Sequence, residues 1–484
     1  MDTRFLTASA LAQALRDGKL TATQALEGAI ERIEARDSAL NAVVVRDFDR
    51  ARTAAAEADR ALGRGDRRPL LGVPMTVKES FNVAGLPTTW GNPGAQKLAR
   101  HDAVAVARLK SSGAVILGKT NIATNLGDWQ SVNAVYGRTH NPWDSSRTPG
   151  GSSGGAAAAL AAGFVSLELG SDLAGSLRVP AHCCGIFCHK PSHGLIPTRG
   201  HAPPGTPELT IGTDGDLAVV GPLARSAADL GAALEILAGP DDAQAIAYRF
   251  VLPPPRHERL AEFKVLVLEE HPLLPTSSAV RSAMRQFAAT LRDAGGIVEE
   301  SSPLLPDLAA VAETFMWLQM ALLGANLSDA AYRAQRERVA RLPSAERGLE
   351  TLSGQALVAS HRDWLRAHRM RTFISHQWRQ FFQAWDVLIC PVLPTTAFPH
   401  DDTDMRSRRI DIDGRPFPYG LQGVWAGPAS TCGLPATVMP IAVSGGLPIG
   451  VQIMGPYLED STTIRFAELA EREFGGFTPP PDYV

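Results

Sequence analysis

Cysteine is scarce in this chain. Five among 484 residues is a low, odd count that argues against a disulfide framework. Surplus charge of one sign is missing too, with 47 Lys and Arg against 50 Asp and Glu. That balance implies no strong basic face for nucleic acid or an anionic membrane. Long apolar runs are also lacking. The most apolar stretch, Gly155–Leu167, is mostly Ala and Gly and too short to span a bilayer. The first residues, MDTRFLTASALAQALRDGK, have no apolar segment of the signal-peptide or anchor kind. These shortages predict a cytoplasmic protein with neither nucleic acid nor membrane as a partner.

What the chain does have is apolar residues, 45 % of the total, enough for a large buried core. Thr21 and Gln24 have capping-box spacing ahead of Leu26, Ala29, Ile30 and Ile33, which share one helical face. Asp102 is placed to cap a helix running through Arg108, ended by Gly113 and followed by a buried strand over 114–117. Further strands are predicted over 264–268, 386–390, 436–441 and 449–454. Between the first two lies a helix carrying Val280, Met284, Phe287 and Leu291 on one face. Strands alternating with amphipathic helices predict an α/β fold with a sheet covered on both faces. Residues 203–215, 253–255 and 400–418 read as loops, and 308–371 as irregular helix.

The densest chemical signal is PGGSSGGAAAALAAGFVSLELGSDLAGSLRVPA, residues 149–181. Two Gly/Ser clusters flank an Ala-rich helix. Small residues let backbone N–H groups approach a developing oxyanion, and a serine hydroxyl needs a base before it becomes a useful nucleophile.

These segments resemble the amidase signature family. So do LGVPMTVKESFNVAGLPTTWG, GKTN, the NPWD lead-in, GIFCHKPSHGLIPTRG, GPLARSAADL and CGLPATVMPI…GLPIGVQIMG, all in the family's order. The resemblance implies one amidase domain with a central mixed sheet. On that basis residues 1–65 form a helical segment packed on the core. Residues 66–484 form one compact unit whose variable helical region, about 300–380, shapes the substrate pocket. It also implies catalytic roles for Lys78, Ser152 and Ser176. Neutral Lys78 accepts a proton from Ser152, Ser152 takes one from Ser176, and Ser176 attacks the amide carbonyl. The oxyanion hole falls on the backbone N–H groups of Leu173, Ala174, Gly175 and Ser176. Thr148 and Ser153 are support candidates beside Lys78 or Ser152, with simple loop bonding as the alternative. Asp172 and Arg178 brace the turn. The family usually has Gly-Gly before the nucleophile where this chain has Ala174-Gly175, tolerable if Ala174 keeps a negative φ.

Lys78 must be neutral near pH 7, which requires burial. Its neighbours Pro74, Met75, Val77 and Phe81 are apolar, and strand alternation sends Glu79 to the opposite face. Phe315, Trp317 and Met320 either line an acyl pocket or fill a helix core. Neither metal nor organic cofactor is expected.

Three other patterns compete. Residues 113–120 fit GxxxxGKT, but the intervening residues read as a strand rather than a phosphate-wrapping turn. Residues 150–154 fit the GxSxG elbow of α/β-hydrolases, with Asp386 and His400 as candidate partners. His182, Cys183, Cys184, Cys188 and His189 match no zinc spacing. Within the family, the glutamine-hydrolysing component of the tRNA-dependent amidotransferase carries an acidic residue where Gly423 stands here. Membrane-bound fatty acid amide hydrolases carry an N-terminal anchor. The expectation is therefore a stand-alone hydrolase of a small or medium aryl or alkyl amide, with carbamates or esters as further substrates. A homodimer is possible, and the glutamine-hydrolysing A subunit of an amidotransferase is the alternative.

Overall fold

The computed structural model describes residues 2–95, 97–207, 215–342 and 348–484. Part of the 203–215 loop and of the 308–371 helical stretch thus lies outside the described residues. Eleven strands form one mixed sheet. In chain order they are β1 (Val43–Arg46), β2 (Pro74–Lys78), β3 (Val115–Thr120), β4 (Leu167–Asp172), β5 (Phe187–Lys190) and β6 (Val219–Ala224). Then follow β7 (Lys264–Val267), β8 (Ile297–Glu299), β9 (Val387–Pro391), β10 (Ala436–Ser444) and β11 (Leu447–Met454). Their order in space is β1-β3-β2-β4-β6-β5-β10-β11-β9-β7-β8.

Two parallel blocks, β3-β2-β4 and β9-β7-β8, are joined through antiparallel strands. Every residue of β2, β3 and β4 is buried. Helices cover both faces of the sheet, so polar residues of these strands such as Lys78, Lys119 and Glu168 are buried along with the apolar ones. One core joins Leu11 and Ile30 near the N-terminus to Val77 and Leu169 in the sheet and Phe466 near the C-terminus. Among the described residues, no helix is long and apolar enough to cross a membrane.

The capping box of Thr21 and Gln24 forms as the spacing predicts, opening the helix Ala22–Leu40. Asp102 does not cap. The helix Val104–Ser111 starts from Ala103 with no side-chain cap, because Asp102 accepts the Ala84 N–H at 2.8 Å and pairs with Lys110 at 2.8 Å. The region 400–418 is not all loop either. Arg409–Ile412 and Arg415–Pro418 pair as a hairpin turning on Asp413 and Gly414, with φ of 52° and 79°.

Candidate functional site

Lys78 ends β2 and is fully buried. Its Nζ lies 2.8 Å from Ser152 Oγ and 2.9 Å from Ser171 Oγ, with the Ser171 carbonyl at 3.4 Å. Burial lowers the Lys78 pKa to about 7, against the pull of Asp172 and Glu168, which favour the ammonium. Glu168, paired with Thr76 in the register of β4 on β2, is itself pushed up to about 8 by burial. Near neutral pH neither group needs to carry a charge. A neutral amine has a lone pair, and a hydroxyl at 2.8 Å can donate to it. Glu79 points elsewhere and accepts the Thr89 and Trp90 N–H groups at 2.6 and 3.1 Å and the Tyr136 hydroxyl at 3.2 Å.

Ser152 follows a cis peptide bond after Gly151 and precedes the wholly buried helix Gly154–Ala161. Thr148 and Ser153 do not hydrogen-bond the Lys78 or Ser152 side chains. Thr148 Oγ1 donates to the Trp129 carbonyl at 3.1 Å and accepts the Gly150 N–H at 3.0 Å. Ser153 Oγ donates to the Ser171 carbonyl at 3.4 Å. The Ser153 N–H reaches the Ser176 carbonyl at 3.3 Å, stitching the two serine loops together. Ser131, absent from the sequence-based set, accepts the Gly154 N–H at 2.9 Å and holds the start of the helix.

Ser176 is the outermost of the three serines grouped with Lys78, at 8 % exposure against 0 % for Ser152 and 5 % for Ser171. Its hydroxyl has no hydrogen-bond partner among the described residues, Ser152 included. The turn before it is built on Asp172. That carboxylate accepts the Gly175 N–H at 2.9 Å and the Leu177 N–H at 3.0 Å, and pairs with Arg178 at 2.9 Å. Burial alone would raise the Asp172 carboxyl, but Arg178 holds it well below the usual carboxylate range. The Gly175 N–H is therefore engaged by Asp172. Of the four expected donors, those of Leu173, Ala174 and Ser176 are left without an intramolecular acceptor among the described residues. Gly175 sits at φ +95°, a conformation glycine takes without strain, while Ala174 keeps a negative φ.

On the open side of this turn, Phe315 and Leu318 form a cluster with Leu217 and Ala426, against which Leu173, Ala174, Trp364 and Ala367 pack. Trp317 and Met320, on the same helix (Leu308–Gly324), are half-buried and lie outside that cluster. Trp129 was not anticipated. Its indole N–H donates to the Ala174 carbonyl at 2.9 Å across a gap of many residues in sequence.

The competing patterns find other roles. Gly118, Lys119 and Thr120 are strand residues of β3. Lys119 Nζ bonds the Pro87 carbonyl and the Thr88 hydroxyl. Asp386 contacts Arg256 and His257, while His400 packs edge-on to His140. Neither bonds Ser152. His182 is held by the Gly450 and Thr395 backbone and His189 by Thr437 and Asp460. No three His, Cys, Asp or Glu side chains converge as a metal site among the described residues.

Known proteins resemble this chain over nearly its whole length. The Amidase family matches residues 24–464. The A subunit of glutamyl-tRNA(Gln) amidotransferase from Roseiflexus sp. (strain RS-1) is 31 % identical over 500 residues, covering 99 % of this chain and 98 % of the relative. A solved structure from work on the evolutionary origins of an s-triazine catabolic enzyme superposes with a TM-score of 0.81 at 28 % identity, covering 97 % and 99 % of the two chains. A bacterial aryl acylamidase of the amidase signature family shares the fold, with a TM-score of 0.80 at 22 % identity over 99 % and 98 %. The chain belongs to the amidase signature family.

Proposed function

We propose that the chain is a stand-alone hydrolase of small or medium uncharged amides, acting through a Ser176 acyl-enzyme. The observation that carries this reading is Lys78, fully buried, its pKa lowered to about 7, with Ser152 Oγ at 2.8 Å. Such an amine is a base at neutral pH. Ser176 Oγ forms a bond to the carbonyl carbon as its proton passes to Ser152 and the Ser152 proton passes to Lys78. The carbonyl oxygen takes up the electron pair opposite the N–H groups of Leu173, Ala174 and Ser176. Collapse breaks the C–N bond, and the proton returns through Ser152 to the leaving amine. Water then repeats the sequence on the ester. The Ser176–Ser152 contact that this relay needs is one that substrate binding would draw closed, as catalytic hydrogen bonds often do. The residues themselves supply nucleophile, relay and oxyanion donors, with a small-molecule amide as the only partner required.

The test is turnover of a panel of amides, carbamates and esters with fluorophosphonate labelling, in wild type and in Ser176→Ala, Ser152→Ala and Lys78→Ala. Wild type is expected to label and turn over, and Ser176→Ala to do neither. Hydrolysis surviving in Ser176→Ala would sink the proposal.

The relatives named as the A subunit of glutamyl-tRNA(Gln) amidotransferase favour a second reading, in which glutamine is the substrate. Gly423, which stands where that branch has its acidic residue, faces the Trp129 ring instead of offering a carboxylate to an amino group. Ammonia release from glutamine with a kcat/KM above that for simple amides would decide for this second reading.

A further inference from the structure

Trp129 touches both serine loops. Its carbonyl accepts from Thr148, and its indole N–H donates to the carbonyl of Ala174, two residues before Ser176. The same nitrogen lies 3.8 Å from where a Cβ on Gly175 would stand. Behind the indole, the Tyr419 ring packs at 5.5 Å, its hydroxyl 2.7 Å from Asp128 Oδ1. Arg408 holds the other Asp128 oxygen at 2.6 Å and lies 5.5 Å over the Tyr419 ring. The ring is thus clamped, yet Trp129 remains partly exposed.

Gly423 supplies a second, independent observation. Its φ is not positive, so no backbone conformation demands glycine there. A Cβ at Gly423 would instead sit 3.3 and 3.4 Å from the six-membered ring of Trp129. The glycine makes room for the indole. The carboxylates next to Trp129 in the chain and under the Gly175 turn, Asp128 and Asp172, are both taken up by internal partners, so neither is free to hold a substrate ammonium.

We infer that Trp129 positions the Ala174–Gly175 turn through its N–H and, through its ring, selects substrates whose acyl substituent is planar and uncharged. This rests on the proposed amide-hydrolase reading. A flat ring face rewards stacking, and an apolar wall leaves a buried ammonium without a partner.

The experiment measures kcat and KM for acetyl, benzoyl and alanyl anilides of one constant amine, in wild type and in Trp129→Phe, Trp129→Ala and Gly423→Asp. Fluorophosphonate labelling of Ser176 and thermal melting accompany each. Trp129→Phe keeps a ring but loses the N–H, and kcat is expected to fall about tenfold for every acyl group with little change in KM. Trp129→Ala is expected to raise KM for the benzoyl substrate about tenfold, with little change for the acetyl one. Gly423→Asp displaces the ring and is expected to narrow the preference for benzoyl over alanyl. Equal loss across the series in Trp129→Ala, or no loss in any variant, overturns the inference. An unlabelled, inactive wild type would instead defeat the hydrolase reading beneath it.

Discussion

Three strands of the sheet each bury a lysine, and only one of the three, Lys78, meets the hydroxyl of Ser152. Lys78 on β2 and Lys190 on β5 are both fully buried, and burial lowers each to about 7. Lys119 on β3 is similar, at about 8. Desolvation therefore does not distinguish them. Their partners do. Lys190 Nζ bonds two carbonyls, of Pro191 and Leu434, at 2.9 and 2.8 Å. Lys119 bonds the Pro87 carbonyl and the Thr88 hydroxyl. A carbonyl only accepts, so it can hold an N–H but can never pass a proton to nitrogen. The two nearest partners of Lys78 are hydroxyls, and the Ser152 hydroxyl lies beside the loop of Ser176. The Thr88 hydroxyl that meets Lys119 donates onward to the Phe81 carbonyl, so what sets Lys78 apart is where its hydroxyl partner lies, beside the loop of Ser176.

The comparison breaks if Lys78 can be removed without consequence. Lys78→Ala is expected to lower kcat/KM by about a thousandfold or more, since base and relay fail together. A rate within tenfold of wild type would put the base elsewhere. Next in size is pH. In the proposed relay the working form is the neutral amine, and the folded pKa of about 7 lies below the ordinary 10.5. The value of kcat/KM should then fall about tenfold per unit below pH 7 and level off above it. Stability carries the same signature. Between about pH 7 and 10.5 the unfolded chain binds a proton that folded Lys78 does not, so this residue's contribution to stability rises with pH across that window. A flat rate profile from about pH 5 to 8 would contradict a neutral-lysine base.

Lys119 sharpens the contrast from the other side. Lys119→Met removes the donor from the Pro87 carbonyl, and an unsatisfied buried acceptor costs about 1–3 kcal/mol. A lowered melting temperature with Ser176 labelling within about twofold of wild type is expected. Lost labelling in folded protein would show that carbonyl-bound lysine also reaches the site.

Why Lys78 stands out from the other buried lysines was only partly visible in the sequence. Lys78, Ser152 and Ser176 were singled out by the family resemblance of the segments that hold them, and the fold then brings Lys78 Nζ to 2.8 Å from Ser152 Oγ. Five of the eleven strands, β3, β7, β9, β10 and β11, followed from apolar runs, with bounds that moved by a few residues. Trp129 was not legible, since only the fold brings its indole to Ala174. The engagement of the Gly175 N–H was hidden for a related reason: it depends on where the Asp172 side chain points, which spacing does not set. Asp102 shows local rules losing to tertiary ones, as a cap position gave way to Lys110 and Ala84. The hairpin at 409–418 carried a readable Asp413-Gly414 turn signal between short alternating runs, masked by its many charges.

Ser171 is the least visible of these and the finest probe of the lysine comparison. It lies between a glycine and an aspartate in β4, and only the parallel pairing of β4 with β2 brings it to Lys78 Nζ, at 2.9 Å. Its hydroxyl accepts from the ammonium, so Ser171→Ala removes a group that favours the charged form. The acid limb of the rate profile should move to lower pH. The plateau kcat should fall only severalfold, because Ser152 still meets the lysine. A shift of that limb to higher pH would mean that the Ser171 hydroxyl donates to a neutral amine instead. It would then compete with Ser152 for the one lone pair on which the relay depends.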